Sequence, residues 1–176
     1  TVEVGNVNPK FLLGWNHSLS YKNFTLYFLI DCRYGGDLLS QTQADMDMYG
    51  VSEVTANARD KGYVMLEGQR IDNVKGFYKN VVGGRAGVTE YYMYDATNIR
   101  LRELSVAYQL PASWVEKTKV LKRAQLSFSG RNLFFFYKKA PFDPDLVLST
   151  GNDNQGIDVY GMPTTRSWGF TLKCEF

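Results

Sequence analysis

Hydrophobic and polar side chains alternate with a period of two along several stretches of this chain. Between residues 10 and 21 the odd positions are mainly apolar, and between residues 24 and 34 the even positions are apolar. Such alternation is typical of a strand with one apolar face. The two stretches are separated by Lys22 and Asn23, and a two-residue connection of this kind predicts a β-hairpin.

Three further stretches alternate in the same way and bring the number of predicted strands to five. They lie at roughly 97–110, 123–136 and 165–176, and the first of them stops at Pro111, which cannot donate to a strand ladder. In the last stretch, one face carries Trp168, Phe170, Leu172, Cys174 and Phe176. The predicted fold class is therefore all-β, with antiparallel strands.

The connections between the predicted strands alternate between short and long. Residues 22–23 and roughly 111–122 are short, whereas roughly 35–98 and 137–163 are long. Outer-membrane barrels have short periplasmic turns and long extracellular loops, and long structureless connections are uncommon in compact soluble domains. The alternation therefore favours a transmembrane antiparallel β-barrel over a soluble β-sandwich, whose inner faces are also apolar. Because the smallest such barrels have about eight strands, five strands indicate part of a barrel.

The first long connection contains two predicted short helices. The apolar positions that suit one face of a helix from about residue 37 to residue 49 are Leu38, Leu39, Met46 and Tyr49. Gly50 is expected to end this helix, and a second helix is expected to begin at Ser52. The predicted architecture is thus a barrel wall with long loops that carry short helices.

Composition and charge exclude some functions without selecting one. The chain has 176 residues and a formal net charge of +2, and its 20 basic against 18 acidic residues leave no footprint for nucleic acid. It has no run of about 18 apolar residues that could form a transmembrane helix. Because the chain starts at Thr1 without an apolar leader, an export signal is expected upstream or already removed. Cys32 and Cys174 are predicted at opposite ends of different strands, so two free thiols are expected.

Six short landmarks follow one another along the chain. They are Asn8-Pro9-Lys10-Phe11, Asp31-Cys32-Arg33-Tyr34-Gly35-Gly36, Ile99-Arg100-Leu101-Arg102-Glu103-Leu104-Ser105, Gly130-Arg131-Asn132-Leu133-Phe134, Phe142-Asp143-Pro144-Asp145 and the stretch 163–176. In this order they resemble the C-terminal strands and loops of the SusC/RagA family of TonB-dependent outer-membrane transporters. The resemblance spans essentially the whole chain, and the aromatic Phe176 is similar to the C-terminal assembly signal of many outer-membrane barrels.

The resemblance implies a barrel of about 22 strands, of which this chain holds the C-terminal five or so. It implies a bacterial outer membrane of the Bacteroidetes type, with a plug domain and a TonB box that lie outside this chain. The implied partners are a SusD-like surface lipoprotein, the TonB complex acting through the missing N-terminal region, the barrel assembly machinery and the lipid bilayer. The implied cargo is an oligosaccharide or a peptide.

Residues of the first long loop are candidates for contact with the ligand or with the lipoprotein lid, because loops on rigid scaffolds commonly carry binding. The candidates are Asp45, Asp47, Tyr49, Arg59, Asp60, Tyr91 and Tyr92. A tyrosine ring can stack on a sugar while its hydroxyl forms a hydrogen bond. The alternative for each residue is a loop position that packs for stability.

Two further sets of residues lie on the predicted strands. Those on the polar faces are expected to face the barrel lumen and to pair with neighbouring strands or with the plug: Asp31, Arg33, Glu103, Arg131 and Lys173. Those of the last strand are expected to form the assembly signal: Trp168, Phe170, Leu172 and Phe176. A lysine that faces lipid near the midplane costs about 2–4 kcal/mol, so charged side chains should avoid the apolar rows.

No arrangement of residues indicates an enzyme, a cofactor or a metal site. His17 is the single histidine and is predicted in an apolar row, without a carboxylate partner in register. The stretch Asn152-Asp153-Asn154-Gln155-Gly156 resembles the start of a calcium loop but lacks the closing glutamate. Three functions remain open: an active importer, a passive porin or adhesin barrel, and a secreted β-sandwich that binds carbohydrate.

Overall fold

The computed structural model describes residues 3–146, 148, 151 and 154–176, which divide into two compact units. The strand unit consists of Lys10–Tyr34, Thr97–Pro141 and Thr164–Phe176. The loop unit consists of the described residues of Thr1–Pro9, Gly35–Ala96 and Phe142–Pro163. The boundaries between the units lie close to the ends of the two long connections, each of which joins two strands of the strand unit.

Ten strands occur in the described part of the chain. They are β1 (Phe11–Tyr21), β2 (Phe24–Tyr34), β3 (Asp37–Ser40), β4 (Val64–Leu66), β5 (Gln69–Ile71), β6 (Met93–Asp95), β7 (Asn98–Gln109), β8 (Arg123–Lys138), β9 (Ile157–Asp158) and β10 (Ser167–Glu175). The five long ones, which the alternation predicted, form a single sheet in the order β1-β2-β7-β8-β10. All four pairings within it are antiparallel.

The helical segments are short. They are α1 (Gln41–Tyr49), α2 (Glu53–Lys61), α3 (Val74–Gly76), a π-helix (Phe77–Val82), a 3₁₀-helix (Thr89–Tyr92), α4 (Ala112–Val115) and a second 3₁₀-helix (Glu116–Thr118). No helix in the described residues is long and apolar enough to cross a bilayer.

The register of the five-stranded sheet places the apolar rows of all five strands on one face. One line of directly paired positions is Leu19, Leu26, Val106, Phe128 and Phe170. The next polar line is Ser20, Thr25, Ala107, Ser127 and Thr171. Because a slip of one residue would turn a whole strand over, this agreement across four pairings means that the pattern specifies the register.

A β-bulge interrupts the alternation in the middle of β7. The pairing with β2 shifts between Leu29 and Ile30, so that Leu29 faces Glu103 while Ile30 faces Leu101. Arg102 is the extra residue, and it therefore joins Glu103 on the polar face. Opposite the bulge, Asn132 of β8 has a φ of 52°, a left-handed conformation that asparagine tolerates better than most residues.

The loop unit is an ordered body with its own sheets. β6, β3 and β9 form a three-stranded sheet in which β3 and β9 run parallel, and β4 and β5 form a hairpin. The sequence prediction of helix from about residue 37 was wrong for Leu38 and Leu39, which lie in β3. Leu39 pairs with Met93 and with Ile157, and these partners are distant in the sequence and could not be read from the local pattern.

Local capping signals fix where α1 and α2 begin and end. The Ser40 hydroxyl accepts a hydrogen bond from the Gln43 N–H, and the Ser52 hydroxyl accepts one from the Thr55 N–H, so each serine caps the start of a helix. Gly50 ends α1 with a φ of 70°, as the sequence predicted. The core that α1 and α2 cover contains Ala44, Ala58, Val64, Val74, Phe77, Tyr78, Val82 and Tyr92.

Candidate binding site in the loop unit

Asp47 is the polar centre of the loop unit. Its side chain is 1% exposed and accepts hydrogen bonds from Gln43 Nε2 at 2.7 Å, from the Tyr92 hydroxyl at 3.1 Å and from the Ser52 hydroxyl. A buried carboxylate needs such donors, because an unpaired charge in an apolar interior is very costly. Asp47 therefore connects α1 to the start of α2 and to the 3₁₀-helix that ends at Tyr92.

Tyrosine hydroxyls near Asp47 are held in the neutral form. Burial, followed by the nearby charge of Asp47, raises the pKa of Tyr92 far above its usual value. Burial, followed by a hydrogen bond with Tyr91, raises the pKa of Tyr78 in the same direction. The rings also pack together, with Tyr91 edge-on to Phe77 at 5.6 Å between ring centroids. These tyrosines are core residues with satisfied hydroxyls.

A cavity of about 390 Å³ opens beside this network. Its lining residues come from α1, α2, α3 and the π-helix and are Asp47, Met48, Tyr49, Gly50, Thr55, Arg59, Val74, Lys75, Tyr78 and Lys79. The volume is in the range of small-molecule sites, which is about 300–1,000 Å³. All the lining residues belong to the loop unit.

Cationic side chains outnumber acidic ones around the cavity. Arg59, Lys75 and Lys79 are cationic, and the carboxylate of Asp47 is already satisfied by three donors. Arg59 Nη1 donates to the Gly50 carbonyl oxygen at 2.8 Å, which leaves further N–H groups of the guanidinium available. The cavity is therefore apolar in its wall and positive at its edge.

The cavity contains three of the seven loop residues that the sequence nominated: Asp47, Tyr49 and Arg59. Asp45 lies elsewhere, accepting hydrogen bonds from Gln41 Nε2 at 3.0 Å and from the Tyr160 hydroxyl at 3.1 Å. Asp60 is exposed near the end of α2.

Two of the nominated residues have side chains that lie in the core of the loop unit. Asp47 and Tyr92 are each 1% exposed and are hydrogen-bonded to each other. Tyr91 is half-buried against Phe77 and Tyr92. The tyrosine-rich stretch looked polar in the sequence because its neighbours are polar, but its rings complete the core of the loop unit.

Sequence reasoning missed Lys75 and Lys79. They are four residues apart, and both line the cavity, Lys75 from α3 and Lys79 from the π-helix that begins directly after it. The π-helical turn is rare and frequently occurs at functional sites, but no sequence signal identifies it in advance. In the sequence, Lys75 and Lys79 have no feature that distinguishes them from other solvent-exposed lysines.

The five charged residues predicted to face a lumen all lie on the polar face of the sheet, as the register of their strands requires. Asp31 forms an ion pair with Arg102, with Nη2 at 2.5 Å and Nε at 2.9 Å from the same carboxylate oxygen. Arg131 Nε lies 3.7 Å from Glu103 Oε1 on the neighbouring strand. Arg33 is half-buried and Lys173 is exposed.

The residues predicted as an assembly signal are all exposed on the apolar face or at its end: Trp168, Phe170, Leu172 and Phe176. Gly130 pairs with Trp168, and a Cβ at Gly130 would lie 2.7 Å from the indole, so a glycine is needed beneath that ring. Lys122 Nζ donates to the backbone oxygen of Phe176 at 2.8 Å.

The remaining candidates for chemistry are placed as follows. His17 lies in the apolar row, where it pairs with Phe28 and its ring is 5.8 Å from the Phe28 ring. Across the residues that the structure describes, no three His, Cys, Asp or Glu side chains form a group that could hold a metal ion. Asn152 and Asp153 of the calcium-like stretch lie outside the described residues. Cys32 and Cys174 are both free thiols.

No protein-family model matches the chain. TonB-dependent receptor P3 of Formosa agariphila is 28% identical over 178 residues, which cover 98% of this chain and 17% of that protein. TonB-dependent receptor P39 of the same organism is 22% identical over 186 residues, with the same coverage of 98% and 17%. The chain is therefore similar to TonB-dependent receptors over nearly its whole length. It spans only 17% of the length of these curated relatives.

Solved structures of a peptide importer share the fold of this chain. The RagAB peptide importer in its open-open state superposes with a TM-score of 0.67 at 16% identity, over 97% of this chain and 17% of that one. The closed-closed state gives a TM-score of 0.62 at 18% identity, over 97% of this chain and 18% of that one. The resemblance to SusC/RagA proteins and the bacterial outer-membrane location are confirmed.

Proposed function

We propose that the chain forms the C-terminal part of a barrel of about 22 strands that imports nutrients across the outer membrane. In this proposal the five-stranded sheet is a section of the barrel wall, and the loop unit lies on the extracellular side. The full receptor carries a plug and a TonB box, works with a SusD-like lipoprotein and is inserted by the barrel assembly machinery. Its cargo is an oligosaccharide or a peptide.

The observation that carries the proposal is the exposed apolar face of the sheet. Phe170 and Leu172 are 78% and 65% exposed, and they belong to rows that continue in register through all five strands. Exposed apolar patches of this extent are rare on soluble monomers, and in lipid they face their preferred environment. The opposite face carries the ion pairs of Asp31 and Glu103, which suits an aqueous lumen.

The β-sandwich alternative is disfavoured by the same observation. In a sandwich the apolar rows of two sheets bury each other across about 10 Å. Here the large side chains of those rows remain exposed, including Trp15, Leu126 and Trp168. A lipid environment accounts for these rows, whereas a protein core does not.

Active import is favoured over a passive pore by the relatives. The RagAB structures are described as those of a peptide importer, and the curated relatives are named as TonB-dependent receptors. These names support a TonB-coupled cycle for the full-length protein, and the name of the RagAB importer supports a peptide-like cargo.

An uptake assay with the full-length receptor tests the proposal. Cells that lack the receptor gene are complemented with the intact gene, and the accumulation of fluorescent peptides and oligosaccharides in the periplasm is measured with TonB functional and with TonB disrupted. Uptake of one class that requires both the receptor and TonB is expected. Uptake that persists without TonB would identify a passive pore, and a receptor found outside the outer-membrane fraction would contradict the barrel itself.

A further inference from the structure

We infer that the cavity of the loop unit is a binding site for a small organic anion, one with an apolar body and a carboxylate or similar acidic group. The inference goes beyond import, because it concerns binding in the loop unit whether or not the ligand is the cargo. It rests on the lining of the cavity, on its charge and on the helix that shapes it.

The wall of the cavity is built for an apolar body. Val74 and Tyr78 are almost fully buried behind it, and Tyr49 is 73% exposed beside its opening. The exposure of Tyr49 is unusual for an aromatic ring at the end of a helix and leaves its face available for stacking. Because the wall is apolar, a bare inorganic ion would lose hydration there without gaining enough donors.

The edge of the cavity is built for a negative group. No hydrogen bond or ion pair within the described residues engages Lys75 or Lys79, so both ammonium groups are available. Arg59 adds a third cation whose orientation is fixed by its hydrogen bond to the Gly50 carbonyl oxygen. A planar guanidinium held in this way suits a carboxylate, to which it can donate two parallel hydrogen bonds.

The one acidic group in the lining does not oppose an anion strongly. The Asp47 carboxylate is 1% exposed and accepts three hydrogen bonds, so its oxygens face donors and not the cavity opening. A cationic ligand that replaced those donors would break the hydrogen bonds to Asp47 that connect α1 to the start of α2. The charge balance therefore favours an anionic ligand over a cationic one.

The local backbone supports a built site. The π-helix of Phe77–Val82 places Tyr78 and Lys79 at the cavity, and Gly84 beyond it is fixed to α1 by a hydrogen bond from its N–H to the Ala44 carbonyl oxygen at 3.0 Å. A π-helical turn persists only where its surroundings maintain it, and such turns are frequent at functional sites.

The test uses the full-length receptor in lipid nanodiscs and a matched pair of probes. The anionic probe is 4-(trifluoromethyl)phenylacetate, the neutral probe is its amide, and binding is measured by ¹⁹F NMR against empty nanodiscs. We expect the anion to bind roughly tenfold more tightly than the amide, since one charge-assisted contact is worth about 1.4 kcal/mol or more. Equal binding of the two probes would overturn the inference.

Variants locate the site. The double variant Lys75→Gln, Lys79→Gln should weaken binding of the anion roughly tenfold and leave the amide unchanged, since each lost charge contact is partly exposed to solvent. Lys75→Arg, Lys79→Arg should retain binding. The matched control is Lys117→Gln, Lys119→Gln, which removes the same charge from exposed positions in the strand unit. Weakening by the control as large as that by the cavity variant would overturn the inference.

A second readout does not depend on the variants. Crystals soaked with 4-bromophenylacetate should show an anomalous bromine peak between Tyr49 and Lys79, and a peak found only elsewhere would contradict the site. Heat-modifiable migration in gels confirms that the sheet of each variant is folded, and an unchanged rate of trypsin cleavage within the loop unit confirms that this unit is folded. A receptor that binds the probe but imports nothing would leave this inference intact and contradict the proposed function, so the two can fail separately.

Discussion

The two units of this chain use aromatic side chains in opposite ways. In the strand unit, Trp168 and Phe170 stand exposed, whereas in the loop unit Phe77 and Tyr92 are 4% and 1% exposed. The loop unit therefore has a core of its own, with its polar groups collected around Asp47. The strand unit has regular backbone pairing, but its largest apolar side chains are exposed on one face of the sheet. Its stability therefore depends on what surrounds that apolar face.

The largest expected effect comes from placing a charge on the apolar face of the strand unit. Leu172→Lys should reduce the yield of folded receptor in the outer membrane severely, because a lysine facing lipid costs about 2–4 kcal/mol. Thr171→Lys is the matched control, since Thr171 lies one residue away on the polar face, paired with Ser127. The folded fraction is measured by heat-modifiable migration. Equal yields from both variants would remove the contrast between the two faces.

The loop unit should fail locally when its polar centre is removed. Asp47→Ala leaves the buried hydroxyls of Ser52 and Tyr92 and the partly buried amide of Gln43 without their acceptor, at a cost of about 2–3 kcal/mol. Trypsin should then cleave within the loop unit roughly ten- to a hundredfold faster, while the sheet remains heat-modifiable. Asp60→Ala, at an exposed position of α2, is the control and should change little. If the sheet unfolded together with the loop unit, the two would not be independently stable.

Alkaline pH should destabilise the loop unit more than the strand unit. The pKa of Tyr92 and that of Tyr78 are raised in the folded state, chiefly by burial. Because each pKa is higher in the folded state, each tyrosine contributes fully to the free energy of unfolding below its unfolded pKa of about 10. This contribution is lost as pH rises from the unfolded pKa through the folded one. The loop unit should lose at most about 1.4 kcal/mol per pH unit for each such tyrosine.

Near-ultraviolet circular dichroism during thermal unfolding of the receptor at pH 9 to 11 measures this loss. Tyr92→Phe is the comparison, because it removes one of the two ionisable groups and should make the unfolding temperature less dependent on pH. An identical dependence in the variant would mean that Tyr92 does not titrate with unfolding.

The smallest expected effect compares two glycines in similar conformations. Gly50 and Gly62 both end helices with φ values of 70° and 77°, so alanine at either costs about 1 kcal/mol. A Cβ at Gly50 would also lie 3.0 Å from Arg59 Nη1, whereas a Cβ at Gly62 would meet nothing within 4 Å. Gly50→Ala should therefore weaken binding of the anionic probe severalfold, and Gly62→Ala should not. The same probe titration measures both.

The strands of the sheet could be read from the sequence because their signal is local. The observed ends of all five long strands, such as 98–109 for a predicted 97–110 and 167–175 for a predicted 165–176, differ from the predicted ones by at most two residues. The bulge at Arg102 could not be read, because one extra residue shifts the alternation without leaving a distinctive residue type. The ion pair between Arg102 and Asp31 was missed for that reason.

The loop unit was harder to predict because its contacts are distant in sequence. The caps at Gly50 and Ser52 were readable, since a cap is a short-range motif. Leu39 was assigned to a helix although its strand partners lie at positions 93 and 157. The cavity depends on helices from two separate stretches and on a π-helical turn, so its cations could be recognised only once these segments were brought together.

The two outer strands of the five-stranded sheet each have one open backbone edge in the described residues. Within the described residues β1 pairs only with β2, and β10 pairs only with β8, so the backbone N–H and C=O groups along one side of each are open. Such edges recruit any extended segment that they meet. In the proposed barrel each of these edges is paired with a further strand, and until that pairing forms both edges are available to other chains.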